Sequence, residues 1–398
     1  MSPADGNRMS FSKIAAVDLV TQMMAIHGPS GGEHAVAEFV RAKLLAAGIP
    51  AASFVFDHAG KRSHLAGTTG NMIVRLPGTM AGQRRLLMAH MDTVPLCLGS
   101  RPVRRGAFIE SRDPDTALGA DNRAGCSVVL HTILEIKRQS LPHPPLTLLW
   151  SVQEEVGLLG VRVLSHSRLG SPKLCFNWDG GAPNVAVIGA TGAINMDVCI
   201  DGIASHAGAH PDEGVSATAV ASVAIADLVH NGWHGLVTKG RMTGTSNIGI
   251  IEGGAATNVV TSRIVLKAEA RSHNRGFRNR IVANFRRAFE RAANRVKDRY
   301  GRTASVTFTQ DERYESFRMK KSEPCVRAAL DAVEAVGLEP QTRIVNGGLD
   351  ANWMMAHGYP TVTLGCGQQG IHTVEESLHV GSFLDACRIA LRLATDSS

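Results

Sequence analysis

Apolar residues recur every three or four positions over Lys13–Ile26 and again over Glu33–Ala47, with Pro29, Gly31 and Gly32 between, so the spacing predicts two helices joined by a turn. Asn71–Leu76 and Arg85–Ala89 are short apolar runs that predict strands, and a helical pattern runs from about Ala124 to Lys137. Leu146–Val152 and Leu174–Phe176 are apolar throughout. Uninterrupted runs of this kind, interleaved with helices, are how strands buried on both faces look. The first part of the chain therefore predicts an α/β domain with a mostly parallel sheet.

The pattern changes near Gly192. Ile194–Ile200 alternates like a half-exposed strand, a helix is predicted at about Val215–Asn231, and Thr245–Ile251 and Ser262–Ala270 are strand-like. A long helix is predicted from about Gly276 to Tyr300, followed by a strand at Ala304–Thr309. This β-α-β-β-α-β order is that of a small antiparallel sheet with helices on one face. The α/β style then returns, with helices at Glu323–Val336 and Asn346–His357, a buried strand at Thr361–Cys366 and a closing helix at Val380–Ala394. The organisation predicted is a discontinuous α/β domain, residues 1–192 and 316–398, interrupted at 193–315 by an inserted α+β, ferredoxin-like domain.

The net charge of +7 raises nucleic-acid binding as a reading. Much of the excess lies in Arg271–Arg302, where Ile281, Phe285, Phe289 and Val296 recur at helical spacing, which favours a solvated helix face and no nucleic-acid partner. The seven cysteines show no C-x-x-C and no repeated spacing, which argues for a reducing compartment, hence the cytoplasm. Met1–Ser12 is polar and Lys13–Ile26 contains Asp18, Thr21 and Gln22, unlike a signal peptide. No apolar run is long enough to predict a membrane span.

Five segments place metal-binding residue types directly after apolar strands, where open α/β sheets bind ligands. His90 and Asp92, two apart, share a side if the strand persists, and a carboxylate there can hold the imidazole in one tautomer. Asp121 sits between glycines ahead of a helix, a place where a helix cap is the simplest reading. Glu154 and Glu155 follow the Leu146–Val152 run, and neighbours on extended chain point in different directions. Asp179 precedes two glycines, as a turn aspartate would, and His372 follows a glycine-rich loop. Each alone is a weak signal; together they supply histidines and carboxylates enough for two metal ions sharing one bridging carboxylate, with a spare glutamate for proton transfer.

The motifs AHMDTV (89–94), LGADNRAG (118–125), QEEVGLLG (153–160), DGG (179–181) and HTVEES (372–377), in that order, resemble the two-zinc exopeptidases related to peptidase T, carboxypeptidase G and aminoacylase, above all the peptidase T-like branch. The likeness runs from Ser30-Gly31-Gly32-Glu33 to the final helix. The resemblance implies that His90 and Asp179 bind one zinc, Glu155 and His372 the other, and Asp121 both. It makes Glu154 the general base and Asp92 the residue orienting His90. It also implies a cis peptide after Asp121. The donor types do not fix the metal: histidine and carboxylate suit Zn²⁺, and Co²⁺ or Mn²⁺ could serve in vitro. The inserted domain would be the lid and the surface of a homodimer, with His206 polarising the scissile carbonyl and Asn258 and Arg271 contacting substrate. One departure is that Asp92 to Asp121 is shorter than in tripeptide aminopeptidases, so tripeptide specificity stays open.

The function expected is zinc-dependent hydrolysis of amide bonds in short peptides, of aminopeptidase or tripeptidase type. The alternatives are a deacylase or amidohydrolase of N-acyl amino acids on the same dimetal core, and a non-catalytic binding protein on an inherited scaffold.

Overall fold

The computed structural model describes residues 11–396, so the polar start at residues 1–10 lies outside the described residues. The chain folds as two compact units, one made of Met1–Gly189, Arg318–Ile344 and Leu349–Ser398, the other of Ala190–Phe317 and Val345–Gly348. No helix among the described residues is long and apolar enough to cross a membrane.

The first unit is built on a mixed sheet whose centre runs Met72–Leu76, Leu146–Ser151, Arg85–His90, Leu174–Trp178, Thr361–Leu364. The last four of these are parallel to one another, while Met72–Leu76 runs antiparallel to Leu146–Ser151. All residues of Arg85–His90, Leu146–Ser151 and Leu174–Trp178 are buried, as expected for apolar strands covered on both faces. Leu86 and Met88, two apart and so on one face, pack with Val161, Leu164 and Met354. The helix Ala120–Gln139 packs against the Arg85–His90 and Leu174–Trp178 strands. Register aligns the strand ends: His90 stands opposite Ser151, and Leu364 opposite Trp178. The residues that follow these ends therefore emerge side by side.

A smaller antiparallel sheet joins Pro102–Arg105, Phe108–Ser111, Ser377–His379 and Gln368–Gln369. Residues 370–376 are the loop of the hairpin between its last two strands. These strands are short, and two of them pair across more than 250 positions, Leu378 with Ile109, so no local periodicity announces them.

The second unit is a five-stranded antiparallel sheet in the order Gly235–Lys239, Met242–Gly253, Arg263–Ser272, Gly192–Asp201, Ser305–Tyr314. Helices Ala217–His230 and Arg275–Arg295 bury Val220, Ala224, Phe277, Ile281, Phe285 and Phe289 against Val198, Ile200, Leu266 and Ala268 of the sheet. Arg280, Arg287 and Arg291 lie on the exposed side of the second helix. The β-α-β-β-α-β succession is present, with one strand added. Gly235–Lys239 forms a two-residue hairpin with Met242 onward, turning at Gly240, whose φ of +64° suits glycine. Only half-buried by sheet packing, with Leu236 exposed, that edge strand has too little alternation to be read in advance.

Two predicted helices are shorter than expected. The one read to Tyr300 ends at Arg295, because Val296 turns extended and the Asp298 carboxylate accepts the N–H groups of Tyr300 and Arg302, offering the backbone a turn instead. The one read from Asn346 starts at Ala351. Before it, Gly348 passes so close to Tyr314 that a Cβ would lie 2.2 Å from the ring, and glycine is a poor helix former.

Candidate metal centre

His90 is the last residue of its strand and is 1% exposed. Its Nδ1 faces Asp92, 3.1 Å from the backbone oxygen and 3.4 Å from Oδ1. Its Nε2 points the other way, 3.3 Å from Asp121 Oδ1 and 3.6 Å from Asp179 Oδ1. His372, in the hairpin loop, brings Nε2 to 3.2 Å from Asp121 Oδ2 and 3.0 Å from Glu155 Oε2. The two oxygens of Asp121 are thus shared between two imidazoles. Ligand-capable atoms of His90, Asp121 and Glu155 lie within 4.8 Å of one another, as do those of His90, Glu154 and Asp179.

Asp121 is not a helix cap. The N-cap position of its helix belongs to Gly119, Asp121 and Asn122 have non-helical backbone angles, and the peptide between them is cis. Asp121 Oδ1 is buried without a hydrogen-bond partner. The Asn122 side chain anchors the turn beneath it, donating to Trp178 O at 2.6 Å and accepting from Gly125 N.

Asp92 is fully buried and engages both oxygens. Oδ1 accepts the Glu154 N–H at 3.0 Å; Oδ2 accepts the Glu155 N–H at 3.1 Å and the Ser30 hydroxyl at 2.6 Å. One carboxylate therefore aligns the His90 ring and the pair of glutamates together. The turn begins at Gln153, whose φ is +56° and whose N–H donates to Glu33 Oε1 at 3.0 Å.

The electrostatics are those of crowded acids. Burial opposes charge on His90, yet Glu154, Asp121 and Asp179 around it raise its pKa well above the ordinary value. Hydrogen bonds to Asp121 and Glu155 push His372 up to about 10. Burial pushes Glu155 up to about 7, and pushes Glu154 well above the carboxylate range against the pull of His90. Buried acids in excess over two histidines, one with an orphaned oxygen, want further positive charge. Imidazole nitrogen and carboxylate oxygen are the donors zinc takes, so the residues fit a pair of zinc ions.

Three buried acids around the cluster escaped the reading of the sequence. Glu376 accepts the Gly119 and Asp121 N–H groups at 2.7 and 2.8 Å. Asp350 accepts the Ser151 hydroxyl at 2.5 Å, and burial pushes it up to about 7. Glu33 accepts from Gly31 as well as Gln153. Glu376 and Glu33 lie inside quoted motifs, but nothing local distinguishes an acid that caps backbone N–H groups in the interior from one facing water.

His206, Asn258 and Arg271 belong to the second unit. His206 is exposed, and its Nδ1 accepts the N–H groups of Gly208 and Ala209 at 3.2 and 3.1 Å, which puts the ring proton on Nε2. Asn258 is exposed and its backbone oxygen accepts from Ala207. Arg271 makes a two-pronged ion pair with Glu269, at 2.9 Å through both Nε and Nη2.

Comparison with known proteins gives these arrangements a context. The family model described as Peptidase family M20/M25/M40 matches residues 86–396. The protein named YqjE of Bacillus subtilis is 31% identical over 83% of this chain and 85% of its own. The crystal structure of a tripeptidase from Staphylococcus aureus superposes with a TM-score of 0.87 at 28% identity, covering 97% of this chain and 98% of that one. That of the aminopeptidase PepT from Bacillus cereus superposes with a TM-score of 0.82 at 28% identity, with the same coverage.

Proposed function

The chain belongs to peptidase family M20/M25/M40, and from that premise we propose how it works as a metal-dependent exopeptidase on short peptides. His90 and Asp179 would hold one zinc ion and Glu155 and His372 a second, with Asp121 available to each. The observation that carries this reading is the division of Asp121, with Oδ1 3.3 Å from the His90 ring and Oδ2 3.2 Å from that of His372.

When bound, the metal pair supplies Lewis acidity, making water a nucleophile near neutral pH and polarising the scissile carbonyl. The protein's own part begins with Glu154. Its backbone is tied to Asp92, its carboxyl has a proton affinity raised by burial, and it takes a proton from the attacking water and returns it to the leaving amine nitrogen. Asp92 keeps His90 in one orientation through Nδ1, leaving Nε2 for the metal. In the second unit, the Nε2–H of His206 is a donor suited to the carbonyl oxygen, and Asn258 and Arg271 bind the substrate's backbone and carboxylate. This reading includes a homodimer through the second unit. It also places the chain in the cytoplasm, supported by seven cysteines of which none is in a disulfide.

A di- and tripeptide library, run with metal analysis on the same preparation, tests the reading. Two equivalents of zinc and release of terminal residues are expected. Preference for N-acetylated amino acids over free-amine peptides would replace the peptidase by a deacylase, and a monomeric light-scattering profile would remove the dimer.

A further inference from the structure

The two imidazoles of the centre are held by very different means. His90 ends a buried strand, and Asp92 grips its far nitrogen. The His372 side chain is 49% exposed and rides on a hairpin loop with a backbone φ of +65°. Nothing in that loop's own strands, two and three residues long, accounts for its register against Asp121.

Glu376 does. It sits four residues after His372, at the foot of the same hairpin, and is 2% exposed. Its Oε2 accepts the N–H of Gly119 at 2.7 Å and its Oε1 the N–H of Asp121 at 2.8 Å. Between Glu376 and His372 the chain folds into a tight turn, with Glu376 N donating to Thr373 O and the Thr373 hydroxyl donating to Gly370 O at 2.7 Å. The carboxylate thus ties the loop bearing one imidazole to the backbone of the aspartate that imidazole must meet. Ionised acceptors of backbone N–H groups make strong bonds, and each oxygen has one. An amide in its place would turn an NH₂ against an N–H, leaving a buried donor unmet.

We propose that Glu376 is a positioning residue for one of the two metal positions, that framed by Glu155 and His372, because it holds the His372 hairpin in register with Asp121. The other position, framed by His90 and Asp179, shares Asp121 but draws its own two ligands from strand ends, with His90 gripped by Asp92, so it depends on Glu376 less. This inference rests on the two-metal reading above.

The test is titration of the metal-free full-length protein with Co²⁺, followed by visible absorption and equilibrium dialysis. Two equivalents are expected for the wild type. In E376Q the first should bind within about threefold of wild-type affinity, and the second should weaken roughly 10- to 100-fold, the usual effect of losing a group that orients a ligand. Peptidase activity should fall at stoichiometric metal and recover in excess. E375Q, an exposed neighbour, should match the wild type in both steps. Equal weakening of both equivalents in E376Q, or of neither, overturns the proposal. If E376Q does not fold, E376D retains the charge and must show the same selective loss. A wild type that takes up only one equivalent removes the two-metal reading itself, before Glu376 is at issue.

Discussion

The backbone N–H of Glu154 donates to Asp92 Oδ1 at 3.0 Å, so the proposed base is held by the carboxylate that also faces the His90 ring. With Oδ2 taken by Glu155 N–H and the Ser30 hydroxyl, Asp92 has no spare acceptor capacity to lose.

E154Q should retain its metal and lose catalysis. Removal of a positioned proton carrier costs roughly 10²- to 10⁴-fold, and the loss should fall on kcat more than on KM. Steady-state kinetics paired with metal analysis decide it; unchanged kcat at full occupancy would end the role given to Glu154.

D92N should damage the metal centre from behind. An asparagine can accept on one side only, so its NH₂ must oppose the N–H of either Glu154 or Glu155. Metal affinity is expected to drop by roughly 10- to 100-fold, read by competition with a chelating dye. Affinity within error of the wild type would show that the His90 ring and the two glutamates are oriented by something else.

How far the sequence led is clearest at particular residues. His90, Glu154, Glu155 and Asp179 follow apolar runs that could only be buried strands, so their emergence at one edge of a parallel sheet was legible. Asp121 was not: in isolation it reads as a helix cap, and only the non-helical backbone at 121 and 122 turns it into the cluster. The hairpin of His372 stayed hidden because Ser377–His379 pairs with Phe108–Ser111, a partner far away in the chain. Glu376 acts on Gly119 and Asp121 across 257 and 255 positions, a relationship that exists only after folding.

Glu33 gives the metal-free protein a pH signature. Burial, with Asp92 nearby, pushes its pKa from 4.5 up to about 7. The folded chain therefore keeps a proton that the unfolded chain gives up above pH 4.5. Stability present below 4.5 should decline as pH rises to about 7 and then level off, by on the order of 3 kcal/mol. E33Q, which cannot ionise, should remove Glu33's share of the decline in denaturant melts across the same range, leaving that of Glu155 and Asp350, which burial also pushes up to about 7; an equal slope in both proteins would contradict the assignment.

Arg271 separates structure from function cleanly. Its ion pair with Glu269 is about one-third exposed on each side and is worth at most about 1 kcal/mol, so R271A should leave the melting temperature nearly unchanged. If its guanidinium binds a peptide carboxylate, KM for free-acid peptides should rise roughly tenfold or more, while C-terminally amidated peptides, already weak, should not change. Equal effects on both substrates would remove the carboxylate contact.

The hairpin that carries His372 and Glu376 spans residues 368–379, whereas His90, Asp121, Glu155 and Asp179 all precede residue 180. During synthesis a nascent chain therefore displays four acidic or imidazole groups long before the fifth emerges. On the proposed ligand set, hydrolytic power arrives only once residue 372 has been made, and a growing chain carries no finished cutting centre beside its own unfolded segments.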